Sequence, residues 1–340
     1  MNFSIVHLSD LHLKKNSSLD DKINNIKEII KLRKNIALLI LIVTGDIAYS
    51  GDKEEYILVK EIFEKIRKDI PNIKICIVPG NHDCRFSKKS EVRNVLINNC
   101  CNNISNKVSD DIIEEILKVQ NEFVNFKKQL KLEEKKITSL HHYSKFKIGN
   151  YTIVINHLNT AWMSSIEEKQ GQLFFPIEEL NFKEKGNFNI TIFHHNFNWF
   201  IADNAREFKK IVEKNSELIL SGHEHQGNYE KRDGLKTSVQ HLEGYVLQDS
   251  YNNDNSGFSI IDIDLKKMSI MLWEYSYDIN TKAYKGIENK IEFTIKNSIL
   301  EYEITKKFED EFLYDVGANF HHPRKRGKLV LEDLYIYPDF

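Results

Sequence analysis

Five times along this chain an apolar, β-type run ends in residue types that bind metal ions. The stretches are Leu8-Ser9-Asp10-Leu11-His12, Val43-Thr44-Gly45-Asp46, Val78-Pro79-Gly80-Asn81-His82-Asp83, Phe193-His194-His195-Asn196 and Ser221-Gly222-His223-Glu224-His225. A strand, a turn and then polar groups is how a sheet delivers reactive side chains to the carboxyl ends of its strands. One Asn-His-Asp turn is common on surface loops, but five strand ends of the same form are hard to reconcile with chance. The pattern therefore demands a fold in which distant strands end at one place.

The rest of the first half fits such a fold. Residues 3–8 and 36–43 read as buried strands, and Ile36 to Val43 is apolar throughout, as a strand covered on both faces should be. Ile23, Ile26, Ile29 and Ile30 recur at helical spacing, as do Tyr56, Val59, Phe63, Ile66 and Ile70. This βαβ alternation predicts a largely parallel sheet. Ile112, Ile116, Val119, Phe123, Phe126 and Leu130 predict one long helix within an insertion over about 84–147. Its stripe suits packing on the domain flank, a lid or a dimer seam.

Strands resume at 151–156, 189–193 and 217–220, and again at 245–247, 258–265 and 268–274. Lys266-Lys267 reads as a hairpin turn. A boundary is expected near residue 275, which leaves 276–340 as a C-terminal extension. The tail Lys328 to Pro338 is too apolar to dangle and suits docking of a protein partner or a second domain.

Bulk composition narrows the partners. With 48 Lys+Arg against 50 Asp+Glu the formal charge is −2, so no global basic field recruits nucleic acid. The local run Arg324-Lys325-Arg326 reads as a solvated surface. The four cysteines form no CxxC pair, and Cys100 and Cys101 are adjacent, which predicts reduced thiols. Cys84 reads as a packed small residue, and His7 and His157 as structural. No signal peptide or uncharged run of about 18 residues is apparent, so a cytoplasmic protein without membrane contact is expected.

The strand-end donors are chemically mixed. Asp10, Asp46 and Asn81 offer oxygen; His12, His194, His223 and His225 offer imidazole nitrogen; none offers thiolate. This set suits Mn²⁺, Fe or Zn²⁺ better than Ca²⁺, and not a structural zinc site. Seven donors exceed the need of one catalytic ion and suit two, with Asp46 as the natural bridge. Two divalent ions about 3.5–4 Å apart generate a bridging hydroxide and neutralise phosphoryl oxygens. A departing alkoxide needs a proton, and His82, not required as a ligand, is assigned as general acid; it could instead only hydrogen-bond a phosphoryl oxygen.

Taken together, Asp10-Leu11-His12, Gly45-Asp46, Gly80-Asn81-His82-Asp83, His194 and Gly222-His223-Glu224-His225 resemble the calcineurin-like metallophosphoesterase superfamily. The resemblance covers about residues 1–275. It implies a four-layer α/β/β/α sandwich of two mixed sheets, with a helical insertion and the metals at the strand ends. It further implies that Asp10, His12, Asp46 and His225 hold one ion, and Asp46, Asn81, His194 and His223 the other. His195 is a rival for the fourth motif, where the first histidine usually binds. Of the divalent metals, Mn²⁺ is the first choice, with Fe, Zn²⁺, Ni²⁺ and Mg²⁺ as alternatives.

Departures narrow the branch. Phosphoprotein phosphatases of the superfamily carry Asp and Arg after the second motif and Glu after Asn-His, where this chain has Tyr49, Ser50 and Asp83. The missing Arg removes a bidentate phosphate clamp. Gly45-Asp46-Ile47-Ala48-Tyr49-Ser50-Gly51 looks more like the bacterial phosphodiesterases, which include cyclic-nucleotide enzymes; recombination-repair nucleases share the metal motifs. The expected substrate is a nucleotide or nucleic-acid phosphodiester, with Asp83, His195 and Trp199 as candidate substrate contacts. Trp199 offers a face for a nucleobase, or packs under its loop. A nuclease in bacterial defence or repair is the alternative enzyme, and a partner-binding module with a structural metal site the alternative of another class. Homo-oligomers are compatible with either.

Overall fold

The computed structural model describes residues 2–33, 36–86, 91–102, 107–165, 167–233, 238–249, 255–286 and 291–294. All lie within a compact unit, Met1–Lys296. The basic run 324–326 and the tail 328–338 fall outside the described residues.

β1 (Asn2–Leu8), α1 (Asp20–Lys31), β2 (Leu38–Thr44), α2 (Lys53–Asp69) and β3 (Lys74–Val78) realise the expected alternation, and β1, β2 and β3 are parallel. Asp52 and Glu55 start α2 with a capping box, satisfying backbone N–H groups that a helix start leaves bare. α3 (Glu91–Asn102), α4 (Asp110–Leu117) and α5 (Asn121–Leu130) follow. β4 (Lys135–Lys136), β5 (His141–Ile148), β6 (Tyr151–Leu158), β7 (Phe188–Ile192), α6 (Ala202–Lys214), β8 (Leu218–Ser221), β9 (Asn228–Asp233) and β10 (Ser238–Glu243) come next. The seven strands among them form a second sheet, ordered β4-β5-β6-β7-β8-β10-β9. β11 (Gly257–Asp264), β12 (Ser269–Asp278) and β13 (Ala283–Gly286) then complete the first sheet, ordered β13-β12-β11-β1-β2-β3, and β14 (Ile291–Thr294) also pairs with β12. Both sheets mix parallel and antiparallel pairs.

Three apolar layers hold the sandwich. Phe3, Ile5, Ile40 and Ile42 of the first sheet meet Ile153, Ile155, Phe188 and Ile190 of the second. The other face of the first sheet packs on α1, α2 and α5, and the other face of the second on α4 and α6. Side chains alternate across a strand, so Ile5 serves the central layer while its neighbour Val6 serves the helix layer. That double burial is why the parallel strands read as unbroken apolar runs.

The insertion departs from expectation. In place of one long helix, a 3₁₀ turn at Lys118–Gln120 separates α4 from α5. Ile113 and Ile116 of α4 pack in the layer containing Trp162, whereas Phe123, Phe126 and Leu130 of α5 pack beside Tyr56 and Phe63 of α2. A straight helix cannot reach cores on both outer faces of a sandwich, so the stripe is divided. The helical part ends at Leu130, because the chain from His141 enters the second sheet as β5.

The expected strand at 245–247 is only a bridge from Val246 to Ser9. The β9–β10 hairpin carried no apolar signal, since β9 is a charged edge strand. β12 runs through the expected boundary at residue 275, and β13 and β14 pair onto it. The expected hairpin at Lys266-Lys267 joins β11 to β12. Cys76, Cys84, Cys100 and Cys101 are free. Among the described residues no helix is long and apolar enough to cross a membrane.

Candidate metal centre

The carboxyl ends of β1, β2, β3, β7 and β8 meet. Asp10 and His12 follow β1, Asp46 follows β2, Asn81 and His82 follow β3, His194 follows β7, and His223 and His225 follow β8. Backbone bonds stitch these turns together: the Asp10 N–H donates to Gly45 O (3.2 Å), and the His12 N–H to Asp46 O (2.9 Å). The Gly222 N–H donates to His194 O at 3.0 Å, and the His223 N–H to Asp10 Oδ2 at 3.1 Å.

Asp10, His12, Asp46, His223 and His225 all have positive φ, between 43° and 77°. Left-handed backbone is costly outside glycine, of order 1–3 kcal/mol each, and persists where the surroundings over-determine it. Five donors held this way mark a site shaped for something other than stability.

The donors form two clusters. In the first, His12 Nε2 lies 3.7 Å from Asp10 Oδ1 and 3.2 Å from His225 Nε2, and His225 Nε2 lies 3.4 Å from Asp10 Oδ1. In the second, Asn81 Oδ1 is 3.0 Å from His194 Nε2 and 3.1 Å from His223 Nδ1, and those two nitrogens are 3.1 Å apart. Asp46 faces both, with Oδ2 3.9 Å from His12 Nε2 and Oδ1 3.5 Å from His194 Nε2. The cage therefore has the shape of two donor sets sharing one carboxylate.

A divalent cation fits this cage on its own evidence. Asp10 Oδ2 accepts the Ser9 hydroxyl (2.5 Å) and the His223 N–H, while Asp10 Oδ1 is buried without a hydrogen-bond donor and faces converging imidazole nitrogens. Burial pushes the carboxyls of Asp10 and Asp46 up, but neighbouring imidazoles, chiefly His225 and His194, hold both below the usual range. Two buried anions thus sit among neutralisable nitrogens, an arrangement that draws protons or metal. Oxygen and nitrogen donors without sulfur match a hydrolytic divalent ion rather than a structural zinc.

Orientation is set from behind. His194 Nδ1–H donates to Thr44 O at 2.7 Å, which turns Nε2 into the cage. His82 borders the first cluster, one of its ring nitrogens lying within 4.8 Å of ligand atoms of His12 and Asp46; its backbone N–H donates to Asp46 Oδ1 (2.8 Å) and its Nδ1–H to Tyr49 O (2.6 Å). Its ring stands edge-to-face with His12, 4.6 Å between centroids, and half-buried. Gly80 permits the close approach of β3 to Asp46, because a Cβ there would lie 2.1 Å from Asp46 Oδ1. Gly80→Ala should therefore displace the shared carboxylate and weaken Mn²⁺ binding at least about tenfold. Calorimetric titration with Mn²⁺ reads this directly, and unchanged affinity would contradict the geometry.

Three expected substrate contacts have other surroundings. Asp83 is fully buried and accepts the N–H groups of Ile47, Ala48 and Gly80 and the Tyr56 hydroxyl, so it braces the turns instead of meeting substrate. His195 is buried with Nε2 3.1 Å from Glu168 Oε2, although one of its nitrogens lies within 4.8 Å of the nitrogens of His194 and His223. Trp199 is half-buried, donates its indole N–H to Glu224 (2.7 Å), and sets its ring perpendicular to His223 with centroids 4.1 Å apart. Burial pushes the Cys84 thiol up to about 12, leaving it an inert packed residue. Sequence reasoning missed Glu168, Glu224 and the carbonyls of Thr44 and Tyr49. Glu168 lies in a polar loop without a motif, and a backbone carbonyl leaves no mark on sequence.

The family model described as calcineurin-like phosphoesterase matches residues 3–227. The chain belongs to that family. The match spans every strand end that carries a cage residue. For this calcineurin-like phosphoesterase, a curated relative is a probable cyclic nucleotide phosphodiesterase from Vesicomyosocius okutanii subsp. Calyptogena okutanii (strain HA). It is 33% identical over 86 residues, which cover 24% of this chain and 34% of that protein. The matched region thus spans about a third of the relative's length. Among solved structures, vacuolar protein sorting 29 from Cryptosporidium parvum aligns at 12% identity over 86% of this chain and 98% of its own, with a TM-score of 0.39. GAP50, the anchor in the inner membrane complex of Plasmodium, aligns at 13% identity over 87% and 90%, with a TM-score of 0.46.

Proposed function

We propose that this calcineurin-like phosphoesterase is a dimetal phosphodiesterase acting on a nucleotide or nucleic-acid phosphodiester. The observation that carries the reading is Asp46, which turns one carboxylate oxygen to each of two donor clusters. Asp10, His12 and His225 would complete one ion site, and Asn81, His194 and His223 the other. When bound, two such ions lower the pKa of water toward neutrality and offset the charge that builds on phosphoryl oxygens.

The protein's own groups do the rest. His82 holds its Nδ1 proton on the Tyr49 carbonyl, which leaves Nε2 to carry the proton for the departing oxygen. The backbone N–H of the same residue bonds Asp46, so the acid and the shared carboxylate move as one unit. Thr44 and Glu224 fix His194 and Trp199, and the half-buried indole beside His223 would offer a face to a base. The curated relative's name, a probable cyclic nucleotide phosphodiesterase, supports the same substrate class.

A panel of cyclic nucleotides, single- and double-stranded DNA, RNA and phosphomonoesters, assayed with added Mn²⁺, tests the proposal. Hydrolysis of a phosphodiester in preference to every monoester is the expected result. Preference for monoesters, or a Mn²⁺-loaded protein inert on the whole panel, would overturn it.

A further inference from the structure

A cavity of about 670 Å³ lies between the inserted helices α4 and α5 and the strands β3, β5 and β6. Its size is that of a small-molecule site. Leu117, Phe123, Leu132 and Leu140 supply apolar wall, while its floor is polar. There Glu134 Oε1 takes Lys127 Nζ at 2.7 Å and His142 Nδ1 at 3.3 Å. Glu134 Oε2 has no donor and stands 3.6 Å from His157 Nδ1.

His157 is 3% exposed, and neither ring nitrogen completes a hydrogen bond, although the Ile77 carbonyl approaches the ring. Burial pushes its pKa down to about 3, so the imidazole is neutral and offers one N–H and one lone pair. A buried polar atom left unpaired costs about 1–3 kcal/mol, so the buried Glu134 Oε2 and His157 ring, on two residues that line the cavity, call for a partner. The mouth carries Lys128, Lys131 and Lys136, all exposed, against Glu114.

We propose that this cavity binds a nucleoside monophosphate, base inward and phosphate at the lysine rim. A base edge with a ring nitrogen beside an amino or imino N–H can donate to Glu134 Oε2 and meet the His157 imidazole. The apolar walls cover its faces, and the lysines meet its dianion. The site is separate from the metal cage, and none of its polar residues belongs to either donor cluster.

Calorimetric titration of the Mn²⁺-loaded full chain with AMP, CMP, adenosine and inorganic phosphate tests this. Saturable binding of a nucleotide, tighter than adenosine or phosphate alone, is expected. The double substitution Lys128→Glu with Lys131→Glu, at exposed positions, should weaken it about tenfold or more, with turnover of bis(p-nitrophenyl) phosphate unchanged. Glu134→Gln should also weaken binding, but the rim pair decides, because Glu134 also pairs with Lys127 and His142. The proposal falls if no nucleotide binds, if phosphate alone binds as tightly, or if the rim pair leaves nucleotide affinity intact. It falls equally if the rim pair lowers turnover, which would place those lysines at the metal centre.

Discussion

Replacing Asp46 with Asn should lower phosphodiester hydrolysis by about a thousandfold or more, with the fold retained. The carboxylate reaches His12 with one oxygen and His194 with the other, so one substitution strips charge from both donor clusters. Electrostatic stabilisation by a metal pair is worth several kcal/mol of barrier, and each 1.36 kcal/mol is tenfold in rate. The fold should survive because asparagine has the same shape and its Oδ1 can still accept the His82 N–H. Steady-state kinetics paired with a thermal melt would read both parts. A variant that keeps wild-type turnover would remove Asp46 from the chemistry.

His82→Asn should separate leaving groups. If the imidazole gives a proton to the departing oxygen, loss of general acid catalysis costs about 10²–10⁴-fold on a phosphodiester with an alkoxide leaving group. The same variant should lose far less on bis(p-nitrophenyl) phosphate, whose phenolate leaves without a proton. Metal affinity should change less than turnover, because Asp10, His12, Asp46 and His225 remain and the His82 backbone N–H still bonds Asp46, although a His82 ring nitrogen lies within 4.8 Å of His12 and Asp46 ligand atoms. Equal losses on both substrates would mean that the ring only hydrogen-bonds a phosphoryl oxygen. This is the comparison that distinguishes the two roles open to the residue.

Much of the fold was legible because the cage imposes its own local pattern. Each donor must stand just past a buried strand, and strands buried on both faces read as unbroken apolar runs, as Leu38–Thr44 does. Gly45 and Gly80 were also visible as turn residues, and the structure adds that a side chain at either would strike His194 or Asp46. Periodicity alone could not assign the insertion, since a helical stripe does not say which core it faces. Ile116 and Phe123 share the stripe, yet they pack on opposite outer layers of the sandwich.

The roles of Asp83 and His195 were illegible for a different reason. Residue type advertises Asp83 as a reactive carboxylate, but three backbone N–H groups and the Tyr56 hydroxyl consume it, and those partners are set by how the turns pack. His194 and His195 are chemically identical in sequence. What separates them is the Thr44 carbonyl on one and Glu168 on the other, contacts made by residues far along the chain. Neither β9 nor Glu168 carries an apolar or motif signal that would have drawn notice.

Metal stoichiometry tests the central claim most directly. Elemental analysis of the Mn²⁺-loaded chain, with electron paramagnetic resonance on the same sample, should give two ions per chain and an exchange-coupled pair signal, and Asp46→Asn should abolish the coupling. A single ion per chain at saturation, or two that are magnetically isolated in the unaltered protein, would contradict a shared carboxylate.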